Sequence, residues 1–261
     1  MKTIYYYQTF VGLDKALTHI EDIDVINVSS IHFGKDEKGI PCIHLNDNDP
    51  NDIIFYDLWE ETEKASVQGC TIMLMMGGVG RAYKNLFSNF ETYYILLKNL
   101  IDEKTWIKGI DLDIEENCSI DNVKKLINRL VKDFGEEFII TMAPVASTMI
   151  TDGTSFAGFN YKELYLSEEG RKIHWFNTQC YNSFSYETYK SIIDNDYPPE
   201  KIVMGMESGQ FTEKTFNKAL DEVTKIKYKY SNFAGVFDWE YLNAPPDKND
   251  PSQWAKLMKN C

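Results

Sequence analysis

The segment Trp106-Ile-Lys-Gly-Ile-Asp-Leu-Asp-Ile-Glu-Glu116 places three carboxyl groups, Asp111, Asp113 and Glu115, at alternate positions among Ile110, Leu112 and Ile114. In an extended strand alternate side chains share a face, so the acids point one way and the aliphatic set the other. Successive acids are then about 6.6 Å apart along the strand, two rises of about 3.3 Å each. Three carboxyl groups at that spacing in a low-dielectric pocket cannot all ionise freely, and at least one should keep its proton at neutral pH. A carboxylic acid beside a carboxylate that stays charged is what acid catalysis requires. Other uses of the same acids stay open: a divalent-cation site, caps on a neighbouring helix, or a solvated strand end. The four histidines, at 19, 32, 44 and 174, have no spacing that would complete a metal site, and no metal is expected.

Such a strand needs a frame. Apolar, β-branched runs bounded by turn residues recur eight times, over 3–9, 24–33, 70–76, 106–114, 138–144, 175–181, 202–206 and 234–239. Helical spacing fills the intervals, most clearly at Val123, Leu126, Ile127, Leu130, Val131 and Phe134, with Ser119 as the expected N-cap. Other helices should begin near Asp14, Phe55, Tyr83, Tyr186, Glu213 and Ser252. Over 261 residues this is one strand–helix unit per roughly 33 residues, the pattern of a single (β/α)8 barrel. An open doubly wound sheet would alternate in the same way, but its glycine-rich phosphate turn is missing from Thr9-Phe10-Val11-Gly12. Residues 1–261 are therefore read as one catalytic domain, with the acids at the C-terminal end of its fourth strand, where barrel enzymes keep their chemistry.

Composition narrows the partners. With 27 basic against 40 acidic residues the net charge is −13, so the overall field repels phosphate backbones and anionic bilayers. Neither nucleic acid nor a membrane surface is expected, and the basic run Lys225, Lys227 and Lys229 reads as the solvated end of a helix. No apolar stretch reaches the roughly 18 residues of a membrane span, and no signal-type segment follows Met1. A cytoplasmic location is expected for the chain as written, and a secreted one if a leader has been removed. The five cysteines, 42, 70, 118, 180 and 261, are odd in number and lack a CxxC pair, which fits reduced thiols better than disulfides or zinc. A monomer with no cofactor is expected.

Gly109-Ile-Asp-Leu-Asp-Ile-Glu115 resembles the DxxDxDxE signature of the family 18 glycoside hydrolases, the chitinases and their relatives, without its first Asp. Gly77-Gly78 resembles the end of the family's SxGG motif. Thr141-Met-Ala-Pro144 and Gln179-Cys-Tyr-Asn182 are similar to its fifth- and sixth-strand motifs, and Gly235-Val-Phe-Asp-Trp-Glu240 to its last strand. The resemblance runs in order from about residue 24 to 241.

It implies a retaining hydrolase of β-1,4-linked N-acetylglucosamine polymers, closest to the short plant-type and fungal-type endochitinases. Glu115 would be the general acid and then the base. Asp113 would steer the substrate's own N-acetyl group onto the anomeric carbon, and Asp111 would share a proton with Asp113. Tyr181 would bind the acetamido group and Trp239 would floor the sugar site. Gln179, Asn182, Met142, Gly77 and Gly78 would line the same subsite. Both aromatics could instead be barrel core, and Glu207 and Asp238 read as surface or supporting acids. Two residues depart from the motifs. Lys108 replaces the first Asp but has the parity that points away from the acids. Met75 stands where the SxGG serine would support the buried Asp pair. Only about 24 residues separate Gly209 from the last strand, too few for an extra α+β insertion, so an open groove is expected, with residues 34–52 as a lip. An endo-β-N-acetylglucosaminidase acting on N-linked glycans, and a chitin-binding lectin without catalysis, are the alternatives.

Overall fold

The computed structural model describes residues 1–154 and 156–261. Its strands are β1 (Lys2–Tyr7), β2 (Val25–Lys35), β3 (Pro41–Leu45), β4 (Thr71–Gly77), β5 (Ile107–Asp113), β6 (Ile139–Met142), β7 (Trp175–Gln179), β8 (Ile202–Glu207) and β9 (Gly235–Trp239). All but β3 are parallel, in the order β1-β9-β8-β7-β6-β5-β4-β2, and β1 pairs with β2 to close an eight-stranded barrel. Each of the eight runs read from the sequence supplies one barrel strand. The ninth strand was not foreseen. β2 continues past the barrel rim and pairs antiparallel with β3, from Ile31 opposite Leu45 to Lys35 opposite Pro41, so the expected lip over residues 34–52 is built on a hairpin.

Helices cover the outside, including Tyr56–Val67, Phe90–Glu103, Ile120–Phe134, Tyr186–Asp194, Glu213–Lys229 and Gln253–Asn260. Helix Ile120–Phe134 buries Val123, Leu126, Ile127 and Leu130, and the Ser119 hydroxyl accepts the Asn122 N–H at 3.3 Å. Such a cap is worth about 1 kcal/mol. Two short helices, Ala146–Thr151 and Tyr161–Leu166, lie in an interval where none was expected.

Strand alternation divides the apolar residues into two cores. Ile4, Tyr6, Val25, Met73, Met75, Trp175, Val203 and Phe237 meet inside the barrel, whereas Tyr5, Ile26, Leu74, Ile110, Leu112, Met142, Met204 and Val236 face the helices. Gly205 shows how tightly the inner set fits: a Cβ there would lie 1.9 Å from the Phe237 ring. The ring takes the space that an inward side chain at position 205 would need.

Candidate active site

Three inward positions of β5, Gly109, Asp111 and Asp113, lie in line, and Glu115 follows just past the strand end. Lys108 has the opposite parity and is exposed, its ammonium bonded to the Thr105 carbonyl at 2.7 Å. Asp111 is fully buried in the inner core. Its Oδ1 accepts the Thr141 hydroxyl at 2.5 Å and the Asn177 amide at 2.9 Å, and its Oδ2 accepts the Tyr6 hydroxyl at 2.7 Å. Register explains the set, since Asp111 pairs with Thr141 on β6, and Asn177 and Tyr6 are inward on β7 and β1. Burial raises the Asp111 pKa, and the three donors pull against that rise by favouring the anion.

Asp113 is raised well above the ordinary carboxylate range, first by burial and then by the nearby charges of Glu115 and Asp111. Both causes favour its protonated form. Gln179 bridges the outer pair: its Nε2 lies 3.1 Å from Asp113 Oδ1 and 3.4 Å from Glu115 Oε1, and also donates to the Ala143 carbonyl at 2.9 Å.

The neighbouring turn is shaped by Gly77 and Gly78. Gly77 has φ +109°, and a Cβ there would sit 2.0 Å from the Asp113 carbonyl oxygen. The Gly78 N–H donates to that same oxygen at 3.0 Å, so only a chain without side chains brings the ends of β4 and β5 this close.

Above the acids lies a cleft of about 1080 Å³, lined by Asp113, Glu115, Gln179, Tyr181, Trp239, Met75 and the backbone of 77–80. Gln8, Thr9 and Phe10 after β1, and Ser30, His32, His44, Asn46 and Asp47 around the β2–β3 hairpin, also line it. Tyr181 and Trp239 are partly buried against the inner core and also face the cleft, so the core and cleft readings of these rings both apply. Trp239 rests on Tyr6, with ring centroids 5.3 Å apart.

Two of the expected subsite residues lie elsewhere. Met142 is fully buried among the helix-facing core residues, because its neighbour Thr141 takes the inward position and parity sends Met142 outward. Asn182 is exposed in a left-handed conformation (φ +57°), its N–H donating to Gln210 Oε1 at 2.7 Å, and it is not among the residues lining the cleft. Asp238 is no surface acid: it is fully buried on the helix side of β9 and accepts the Ser208 hydroxyl at 2.6 Å.

The supporters of Asp111 were not singled out from the sequence. The signal was present, since Tyr6, Thr141 and Asn177 sit at the inward parity of their strands. Met75 contributes no hydrogen bond to the pair and fills the inner core instead. Among the described residues no cluster of three or more His, Cys, Asp or Glu side chains is arranged to hold a metal ion.

Comparison with known proteins gives consistent likenesses at the level of structure. The chain superposes on a fungal endo-β-N-acetylglucosaminidase of glycosyl hydrolase family 18 with a TM-score of 0.86 and 29% sequence identity, covering 99% of this chain and 96% of that one. It superposes on a chitinase from Aspergillus fumigatus with a TM-score of 0.84 and 29% identity, covering 99% and 98%. A family 18 chitinase from Pseudoalteromonas aurantia shares the fold at a TM-score of 0.77 and 17% identity. No protein-family model and no curated protein matches the sequence. The first and third of these structures are of the family whose motifs the sequence resembles.

Proposed function

We propose that this chain is a glycoside hydrolase of the family 18 kind, an endo-acting, retaining enzyme on β-1,4-linked N-acetylglucosamine chains. The observation that carries the reading is the stack of Asp111, Asp113 and Glu115 under an open cleft, with one amide, Gln179, joining the outer two acids. Glu115, at the cleft surface, gives its proton to the glycosidic oxygen as the bond to the leaving sugar breaks. The carbonyl oxygen of the substrate's acetamido group attacks the anomeric carbon, and Tyr181 and Asp113 hold that group in line. As positive charge builds on the resulting oxazolinium ring, Asp113 releases its proton towards Asp111 and faces the ring as an anion. Water then opens the ring, with Glu115 taking the water's proton back. Trp239 offers its ring to the apolar face of the sugar.

The many residues from the segments after β1 and around the β2–β3 hairpin that line the cleft favour internal cleavage of a chain. The similarity to the fungal endo-β-N-acetylglucosaminidase gives the second reading, cleavage between the two N-acetylglucosamine units of an N-linked glycan. Labelled chitin oligomers run beside a high-mannose glycopeptide separate the two. Hydrolysis of the oligomers with a β anomer in fresh product, seen by NMR before mutarotation, supports the proposal. An α anomer, or equal rates on acetylated and de-acetylated oligomers, rejects substrate assistance. Glu115→Gln should lower turnover by about 10² to 10⁴-fold while leaving oligomer binding nearly intact.

A further inference from the structure

Glu116 and Glu240 each follow a residue of the candidate site, Glu115 and Trp239, and neither lines the cleft. Both are half-buried, and each accepts backbone N–H groups of a neighbouring segment with its carboxylate. Glu116 accepts the Tyr83 N–H at 2.7 Å through Oε1 and the Lys84 N–H at 3.3 Å through Oε2. Glu240 Oε2 accepts the N–H groups of Gln8 at 2.9 Å and Thr9 at 2.8 Å, and its Oε1 accepts the Thr9 hydroxyl at 2.6 Å. The first set ties the loop after β5 to the first turn of the helix Ala82–Ser88, which follows the cleft residues 77–80. The second ties the end of β9 to the loop after β1, which carries Gln8, Thr9 and Phe10. From Gln8 the tie continues: its carbonyl accepts the Asn46 amide at 3.1 Å, and Asn46 Oδ1 accepts the Ser30 N–H at 3.2 Å.

We propose that Glu116 and Glu240 are positioning residues, Glu116 for the proton donor Glu115 and Glu240 for the sugar platform Trp239. The assignment rests on the hydrolase reading above. Hydrogen bonds to a charged acceptor are roughly twice as strong as neutral ones, so a carboxylate is suited to fixing a loop. The two clamps act on different parts of the reaction. Misplacing a catalytic group by about 1 Å can cost about 10²-fold in rate, whereas loosening a stacking platform weakens binding along the chain.

The experiment compares Glu116→Ala and Glu240→Ala on a chitin hexamer. Glu116→Ala should lower kcat by at least about tenfold with the hexamer dissociation constant within about twofold of wild type. Glu240→Ala should raise KM by about fivefold or more with kcat within about threefold. Glu116→Gln and Glu240→Gln keep an acceptor oxygen for the shorter bond and should recover most of each loss. Amide hydrogen exchange reads the clamps without substrate: Tyr83 and Lys84 should exchange faster in the first alanine variant, Gln8 and Thr9 in the second, and the other pair should be unchanged. Parallel changes in kcat and KM in both variants, or a lowered Tm with wild-type kinetics, overturn the assignment. If the wild-type chain cleaves neither oligomer nor glycopeptide, the hydrolase reading fails by itself; unchanged exchange at both pairs then overturns the clamps as well.

Discussion

Asp111 is held by three neutral donors, and the residue that would carry the motif's serine, Met75, gives it none. The support lost at one position is supplied from β1, β6 and β7. Restoring the motif should therefore bring no gain. Met75→Ser removes a side chain that is 1% exposed in the inner core, and should cost about 2–4 kcal/mol in denaturant unfolding without raising kcat. A faster Met75→Ser enzyme would refute this account of Asp111. Asp113 invites a test by pH. Its folded pKa lies well above that of a free aspartate, so above the free value the unfolded chain releases a proton that the folded chain keeps. Stability then falls as pH rises, until the folded-state group itself ionises. Asp113→Asn has no such proton to lose, and its stability relative to wild type should increase from pH 4 to pH 7, measured by urea midpoints. The acids of β5 were legible in the sequence because strict alternation within one strand is a local signal. The donors to Asp111 come from three strands up to 105 residues away, and parity marks them as inward without saying which inward residues meet.

At the scale of elements, the turn after β4 and the acid strand β5 form one piece. Gly77→Ala would place its Cβ 2.0 Å from a backbone oxygen and strain a left-handed φ as well. We expect a loss of more than about 3 kcal/mol or failure to fold. The control is Gly69→Ala, at φ +96° with open space around it, where only backbone strain applies and about 1 kcal/mol should be lost. Equal losses in thermal melts would mean that the close approach of β4 to β5 does not matter. All eight barrel strands could be read from the sequence, since each is a short apolar run between turns. The strand Pro41–Leu45 could not, because its five residues lie between polar turns and it pairs with the far half of β2. Helices Ala146–Thr151 and Tyr161–Leu166 are six residues each, too short to show an apolar stripe at helical spacing.

At the scale of the molecule, charge and thiols make two further expectations. The net charge of −13 is matched by a cleft whose described lining residues include Asp47, Asp113 and Glu115 but no Lys or Arg. Neutral oligosaccharides should be cleaved faster than sulfated ones of the same length, and added salt should narrow the gap in kcat/KM. A gap that ignores salt would locate the discrimination in shape instead. All five cysteines are free, and burial pushes the Cys118 thiol up to about 12. Reductant should leave Tm unchanged, and Cys70, Cys118 and Cys180 should react with a thiol reagent only on unfolding.

The barrel closes where β1 meets β9, and the C-terminal helix fastens the joint: the Tyr5 hydroxyl donates to the Pro251 carbonyl at 2.6 Å and accepts the Ala255 N–H at 3.1 Å. A chain growing on the ribosome thus carries the acids of β5 long before it carries Trp239. Until β9 emerges, the nascent sheet has bare edges at β1 and β8, both largely apolar, and bare apolar edges are prone to pair with a neighbour. Synthesis therefore has a vulnerable interval that ends only once β9 and the helix Gln253–Asn260 have emerged. A nascent chain stalled before Gly235 should be held by chaperones, and one stalled beyond Cys261 by enough linker to clear the exit tunnel should be released folded.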